Sequence, residues 1–421
     1  MCVLLCAGCG KPREATSADA PDGKTTLTFW HIMNYSGPRE VLQAAVARFE
    51  KANPSVQVNV QTFDNDAYKT KLAIEMASGS PPDVFFTWGG GNLATRADAG
   101  RVQDLSDALN ADGWRDRLLD PALQLCSNNG RVFAVPLDLS CVLLWYNREL
   151  FSRLKLQPPT TLRELQTTAE KLRAADVTPL ALGNLKQWPG AFYFIYLATR
   201  QGGAKRFLDA AARAPGASFA DPAFVAAGKH LRELVDAKVF PTGFNGIEDA
   251  HARTQFLTGQ AGMYLMGTWL VARIKTEAPE FLDKLACVPF PVVQGGTGDP
   301  STVVGGVNCA FAVSSQCKIP DKAIELLRFL TDQETVKAWC QIGRIPALKT
   351  GTEQLQGLPK ATQSALTHLS KTATFQPYYD QYLGPRLAEM HKKTTQELFA
   401  GSMTPEKAAG AMEACAQEEA K

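Results

Sequence analysis

The sequence predicts an α/β protein built as two lobes, and three observations predict it. The chain has 421 residues, more than one ordinary hydrophobic core organises. Its first ninety residues alternate strand-like and helix-like segments with short connections. A second stretch carrying both periods begins beyond residue 140. Composition agrees, with 45% hydrophobic and 20% charged residues, the usual balance of a globular protein. A formal charge of +2 without a basic block argues against nucleic acid as a partner. The longest apolar runs, such as 141–145, are too short to cross a bilayer as a helix.

Residues 25–30 (Thr-Thr-Leu-Thr-Phe-Trp) read as a first strand, β-branched and aromatic after a polar stretch. Ser36-Gly37-Pro38 starts a helix in which Val41, Leu42, Ala45, Val46 and Phe49 form one apolar face, and Asn53-Pro54 stops it. Val56, Val58 and Val60 alternate with polar residues as a second strand. A helix over about 66–77 follows, with Tyr68, Leu72 and Met76 spaced by four, and residues 83–88 form a continuous apolar strand suited to a buried parallel sheet. The β-α-β-α-β order implies right-handed crossovers, and open sheets of this kind bind ligands at the carboxyl ends of their strands. Trp30, His31, Asn34 and Tyr35 arrive at that edge from the first strand, and Trp88, Gly89, Gly90 and Gly91 from the third. Further on, 142–146, 179–182, 287–293 and 303–313 are strand-like. Helices are expected after Thr160-Thr161, after Trp188-Pro189, around Leu231 and Leu234, and over 323–330.

The N-terminus reads Met-Cys-Val-Leu-Leu-Cys-Ala-Gly-Cys, then a stretch to residue 24 rich in Ala, Pro, Ser, Thr, Asp and Gly. That order resembles the end of a bacterial lipoprotein signal followed by a flexible tether, which implies lipidation of Cys9. Seven cysteines lie beyond it, none at zinc-site spacing. They read as buried free thiols, with a disulfide left open.

Several short motifs occur in a telling order: Phe49-Glu50-Lys51-Ala52-Asn53-Pro54, Ser78-Gly79-Ser80-Pro81-Pro82-Asp83-Val84, Trp145-Tyr146-Asn147-Arg148-Glu149-Leu150-Phe151, Pro158-Pro159-Thr160-Thr161, Gly267-Thr268-Trp269 and Phe329-Leu330-Thr331. Together they resemble the extracellular solute-binding proteins of ABC sugar importers, the group that contains the maltodextrin-binding proteins. The resemblance implies the two-lobe type II periplasmic-binding-protein fold, with the ligand in a cleft between lobes joined by hinge segments. Carried onto this chain, it puts residues 24–137 and 286–333 in the first lobe and 138–285 and 334–421 in the second. It implies a monomeric, extracytoplasmic protein that delivers a mono- to small oligosaccharide to a permease, meets the membrane only through its lipid anchor, and uses no cofactor or metal.

A sugar offers C–H faces and a fringe of hydroxyls, so its site needs flat aromatic platforms and polar side chains of fixed direction. The aromatic candidates are Trp269, Trp88 and Trp188; Trp269 stands in the Gly-Thr-Trp motif where the family holds a sugar-stacking tryptophan. The polar candidates are His31, Asn34, Asp64, Asp66, Asp138, Asn184 and Asn308, residue types that serve equally as caps and loop residues. Gly89, Gly90, Gly305 and Gly306 let backbone approach a ligand closely. In the Tyr378-Tyr379 pair, Tyr379 is taken as a further cleft aromatic, whereas Arg386 is expected to be structural.

Other functions remain in view. There is no Gly-x-Ser-x-Gly elbow, His-Glu-x-x-His or P-loop, and Gly89-x-Gly91 is followed by Ala94 where a dinucleotide loop needs glycine. A glycosidase needs only two facing carboxylates, which the sequence leaves open. A phosphodiester site wants Arg or Lys, a polyamine site several carboxylates, and a sensor subunit would keep the fold. The candidate loops read as aromatic, Gly- and Asn-rich with few charges, which favours sugar.

Overall fold

A computed structural model of the chain describes residues 23–351, 355, 357–372 and 374–420. Cys9, the expected lipidation site, lies outside the described residues. The strands are β1 (Thr25–His31), β2 (Val56–Thr62), β3 (Val84–Thr87), a short hairpin of β4 (Ser127–Asn128) and β5 (Arg131–Val132), β6 (Val135–Asn147), β7 (Thr178–Ala181), β8 (Ala261–Gly267), β9 (Leu285–Val288), β10 (Val303–Val313), β11 (Ile345–Pro346) and β12 (Phe375–Gln376). The sheet runs β2-β1-β3-β10-β6-β8-β7, with β9 and β11 also on β6 and β12 on β10. Its β2-β1-β3 portion is parallel, as the alternating series predicts, and β10 enters antiparallel between β3 and β6. The reading of 287–293 as a strand is corrected: β9 ends at Val288, where its pairing with β6 stops.

Helix Pro38–Ala52 buries Val41, Leu42, Ala45, Val46 and Phe49, the apolar face its spacing predicts, and β2 buries Val56 and Val58 while Gln57 and Asn59 stay exposed. Two hydrophobic cores result. One holds residues from Leu27 to Leu137, Val307 to Leu330, and Val336 to Leu358; the other holds Cys141 to Val304 and Ala361 to Ala416. The chain therefore passes between cores inside β6, at Gly305-Gly306 inside β10, and between Leu358 and Ala361.

This packing moves two of the expected boundaries. The return expected at 286 comes later, because β9 pairs with the far half of β6 and Cys287, Phe290 and Val293 pack into the second core. Helix Gln333–Gln341 belongs to the first core. Val336, Trp339 and Cys340 are buried there, and Arg48 of helix Pro38–Ala52 ties its start by bonds to Asp332 at 3.0 Å and Thr335 at 2.7 Å.

The seven described cysteines are buried free thiols, which closes the disulfide alternative for them. No described helix is long and apolar enough to cross a membrane.

Candidate functional site

Between the two cores lies a cleft of about 560 Å³, a size suited to a small organic ligand. One wall is aromatic. Trp188 opens helix Trp188–Gly202 and Trp269 caps helix Leu270–Glu277, and their rings meet at 6.3 Å and 62°. Phe192, one turn along from Trp188, touches Trp269 at 6.2 Å and Tyr378 at 5.7 Å. Gly267, at the end of β8, makes room for this wall, since a Cβ there would overlap the Trp269 ring. The glycine of the Gly-Thr-Trp motif is thus needed for the position of its tryptophan.

The first core supplies Trp88, set edge-on to Phe86 at 4.7 Å, with the Lys69 ammonium 5.1 Å from its ring centroid. Asn34, Asp64, Asp66 and Asn308 also line the cleft, and Asn34 donates to Asp64 at 2.6 Å. The two sides touch. The Arg273 guanidinium lies 3.4 Å from the Tyr35 ring centroid, and Thr276 donates to the Ser36 carbonyl at 3.1 Å.

The remaining candidates lie elsewhere. His31 is fully buried against Phe29; its Nδ1 accepts from the Met33 amide, and burial lowers its pKa to about 4, so the ring is neutral at pH 7. Asn184 is a buried brace: its Oδ1 accepts from the Gly190 amide in the first turn of helix Trp188–Gly202, and its Nδ2 donates to Asn245. Gly89 and Gly90 approach the Leu125 and Gln381 carbonyls rather than the cleft. Gly305 and Gly306 pair with Cys141 and Ser140 within the sheet. Tyr379 stacks on Phe207 at 3.6 Å inside the second core, and its neighbour Tyr378 faces the cleft, donating to the Ser140 carbonyl at 3.2 Å. Arg386 pairs with Glu418 on the surface, as expected.

Asp138 lies just beneath the cleft, fully buried. It pairs with Arg344 at 3.1 Å and accepts from Trp339 Nε1 at 3.1 Å and from Asn308 at 3.3 Å. Arg344 and Asn308 themselves line the cleft, so Asp138 acts on its floor through them. Burial pushes its carboxyl up to about 6, against the pull of Arg344, Trp339 and Asn308.

The expectation of few charges is overturned. Five cations and five carboxylates (Asp64, Asp66, Glu248, Asp249 and Asp380) line the cleft. Each cation has a carboxylate partner, in two cases one set behind the lining: Lys69 with Asp66 (4.0 Å), Lys186 with Glu248 (3.8 Å), Arg253 with Asp249 (3.3 Å), Arg273 with Glu277 behind the lining (3.7 Å) and Arg344 with Asp138 beneath it. Asp249 also accepts from the Tyr264 hydroxyl. Sequence reasoning missed Lys186, Glu248, Asp249, Arg253, Arg273 and Arg344, which sit in helical or loop segments whose periodicity marks only their apolar neighbours, and Tyr264, which sits in the wholly apolar run of β8 and reads as core.

Residues 35–337 match the bacterial extracellular solute-binding proteins. A structure from work on xylan utilization by the thermophilic bacterium Caldanaerobius polysaccharolyticus is similar with a TM-score of 0.87 and 31% identity, covering 92% of this chain and 99% of that one. An ABC transporter extracellular-binding protein of Pyrococcus horikoshii is 23% identical over 82% of this chain and 77% of its own length. The multiple sugar-binding protein of Streptococcus mutans is 22% identical over 87% of this chain and 85% of its own. With a matched segment that spans most of both cores and the cleft between them, the chain belongs to the bacterial extracellular solute-binding protein family.

Proposed function

We propose that this protein binds a neutral mono- or small oligosaccharide in the cleft and delivers it, unaltered, to the permease of an ABC importer. The observation that carries this reading is the wall of Trp188, Phe192, Trp269 and Tyr378 facing polar side chains whose charges are already paired. Ring C–H faces pack on indole, while paired carboxylates and guanidinium groups keep spare lone pairs and N–H donors for hydroxyls. A phosphodiester would need an excess of cations and a polyamine an excess of carboxylates; equal numbers favour an uncharged ligand. The sugar-binding relative and the xylan-related structure support the same class.

Titrating a sugar panel while following tryptophan emission and thermal unfolding tests this. A saturable response to one sugar class is expected, with about 2.7 kcal/mol of stabilisation at 100 times the dissociation constant and the sugar recovered unchanged. Hydrolysed sugar would make the protein an enzyme, and a response only to phosphodiesters or polyamines would overturn the ligand.

We further propose that the protein works outside the cytoplasm as a lipid-anchored monomer. Ala7-Gly8-Cys9 ahead of a polar stretch supports the anchor. In the native host Cys9→Ser should move the protein from the membrane fraction to the soluble one; wild-type protein already soluble would remove the anchor from the reading.

A further inference from the structure

A second cavity of about 270 Å³ adjoins the cleft, with Lys69, Trp88, Asp380 and Gln381 bordering both. Its far side is formed by Arg96 from the first core and by Glu389 and Lys392 of helix Pro385–Ala400 from the second. Charge is distributed unevenly here. Lys392 bonds Glu389 at 2.6 Å, and Lys69 stands 4.0 Å from Asp66 and in the field of Asp380. Arg96 has no ion pair or side-chain hydrogen bond among the described residues; its guanidinium lies 6.0 Å from the Phe85 ring centroid and in the field of the Tyr68 hydroxyl. Burial disfavours its charge. A half-buried guanidinium with no carboxylate beside it has its donors to spare, and a planar carboxylate offers it two parallel hydrogen bonds.

We infer that this side chamber receives a carboxylate-bearing branch, a uronic-acid residue, of the oligosaccharide whose neutral backbone occupies the cleft. The inference rests on the carbohydrate reading. Lys392 is matched by Glu389 and Lys69 by Asp66, so Arg96 is the cation of the chamber that has no carboxylate beside it among the described residues, and a single carboxylate matches it. A phosphate dianion would face Asp380 and Glu389 with more charge than Arg96 balances.

The test is calorimetry with a neutral oligosaccharide and the same oligosaccharide carrying one uronic-acid branch. Wild-type protein should bind the branched acid at least about ten-fold more tightly, a preference that shrinks with salt. Arg96→Gln should erase the difference between the two sugars, and Arg96→Lys should keep part of it. Equal or weaker binding of the branched acid by wild type overturns the chamber assignment while leaving the cleft reading intact. A preference that survives in Arg96→Gln also overturns it. If no oligosaccharide of either kind binds, the carbohydrate reading fails and the chamber assignment falls with it.

Discussion

Asp138→Ala is expected to destabilise the unliganded protein by about 3–5 kcal/mol, the largest stability loss of any single change proposed for this chain. The carboxylate is fully buried and is the ionic partner of Arg344, itself 3% exposed. Removing it leaves a guanidinium without counter-charge and strands the Trp339 Nε1 donor. Denaturant unfolding at pH 7 reads the loss directly; a change below 1 kcal/mol would mean that Arg344 finds another partner. The pH dependence supplies a second check. Because the folded-state carboxyl lies near 6, above its ordinary value, folded protein binds the proton first as pH falls. This group's contribution to stability therefore rises as pH drops from about 7 to about 4, and the gap between wild type and Asp138→Ala should widen over that range. A gap that narrows would show that Arg344 holds the carboxyl below its ordinary value, reversing the balance between burial and pairing.

Asp138 also shows where sequence reading stops. A polar residue at a strand position leading into an expected cleft looks like a ligand contact, and nothing local tells that Arg344 and Trp339, far along the chain, enclose it. His31 and Asn184 lie buried away from the cleft for the same reason: strand ends and helix starts are legible, but whether a side chain points into the cleft or under it depends on packing by distant elements. The Tyr378-Tyr379 pair was legible as a pair, yet at the start of a helix adjacent residues face directions about 100° apart, and only Tyr378 faces the cleft. What periodicity encodes is legible in the chain. The apolar face of helix Pro38–Ala52, the alternation of β2 and the full extent of β10 follow from side-chain spacing alone. The crossings between cores were harder to place, because β6 and β10 run through both as single strands without a break in pattern.

Trp269→Ala is expected to weaken sugar binding by about thirty-fold or more, the loss typical of a buried aromatic anchor. Trp269 is half-buried at the centre of the aromatic wall, in contact with both Trp188 and Phe192, so its truncation removes a platform and loosens the two beside it. Fold stability should change far less than affinity, because β8 and helix Leu270–Glu277 are held by buried residues on either side, among them Met266, Leu270 and Ile274. Trp269→Phe should recover part of the affinity, since a smaller ring still offers a flat face. Gly267→Ala provides a version of the experiment that leaves every cleft side chain chemically intact. The added methyl occupies the space of the indole, so affinity should fall because the ring is displaced. Calorimetry on the three variants separates the cases. Loss in Trp269→Ala and Gly267→Ala with partial recovery in Trp269→Phe places the sugar on this ring. Wild-type affinity in all three, with the loss appearing instead in Trp188→Ala, would move the stacking platform one ring along the wall and leave Gly267 a purely structural glycine.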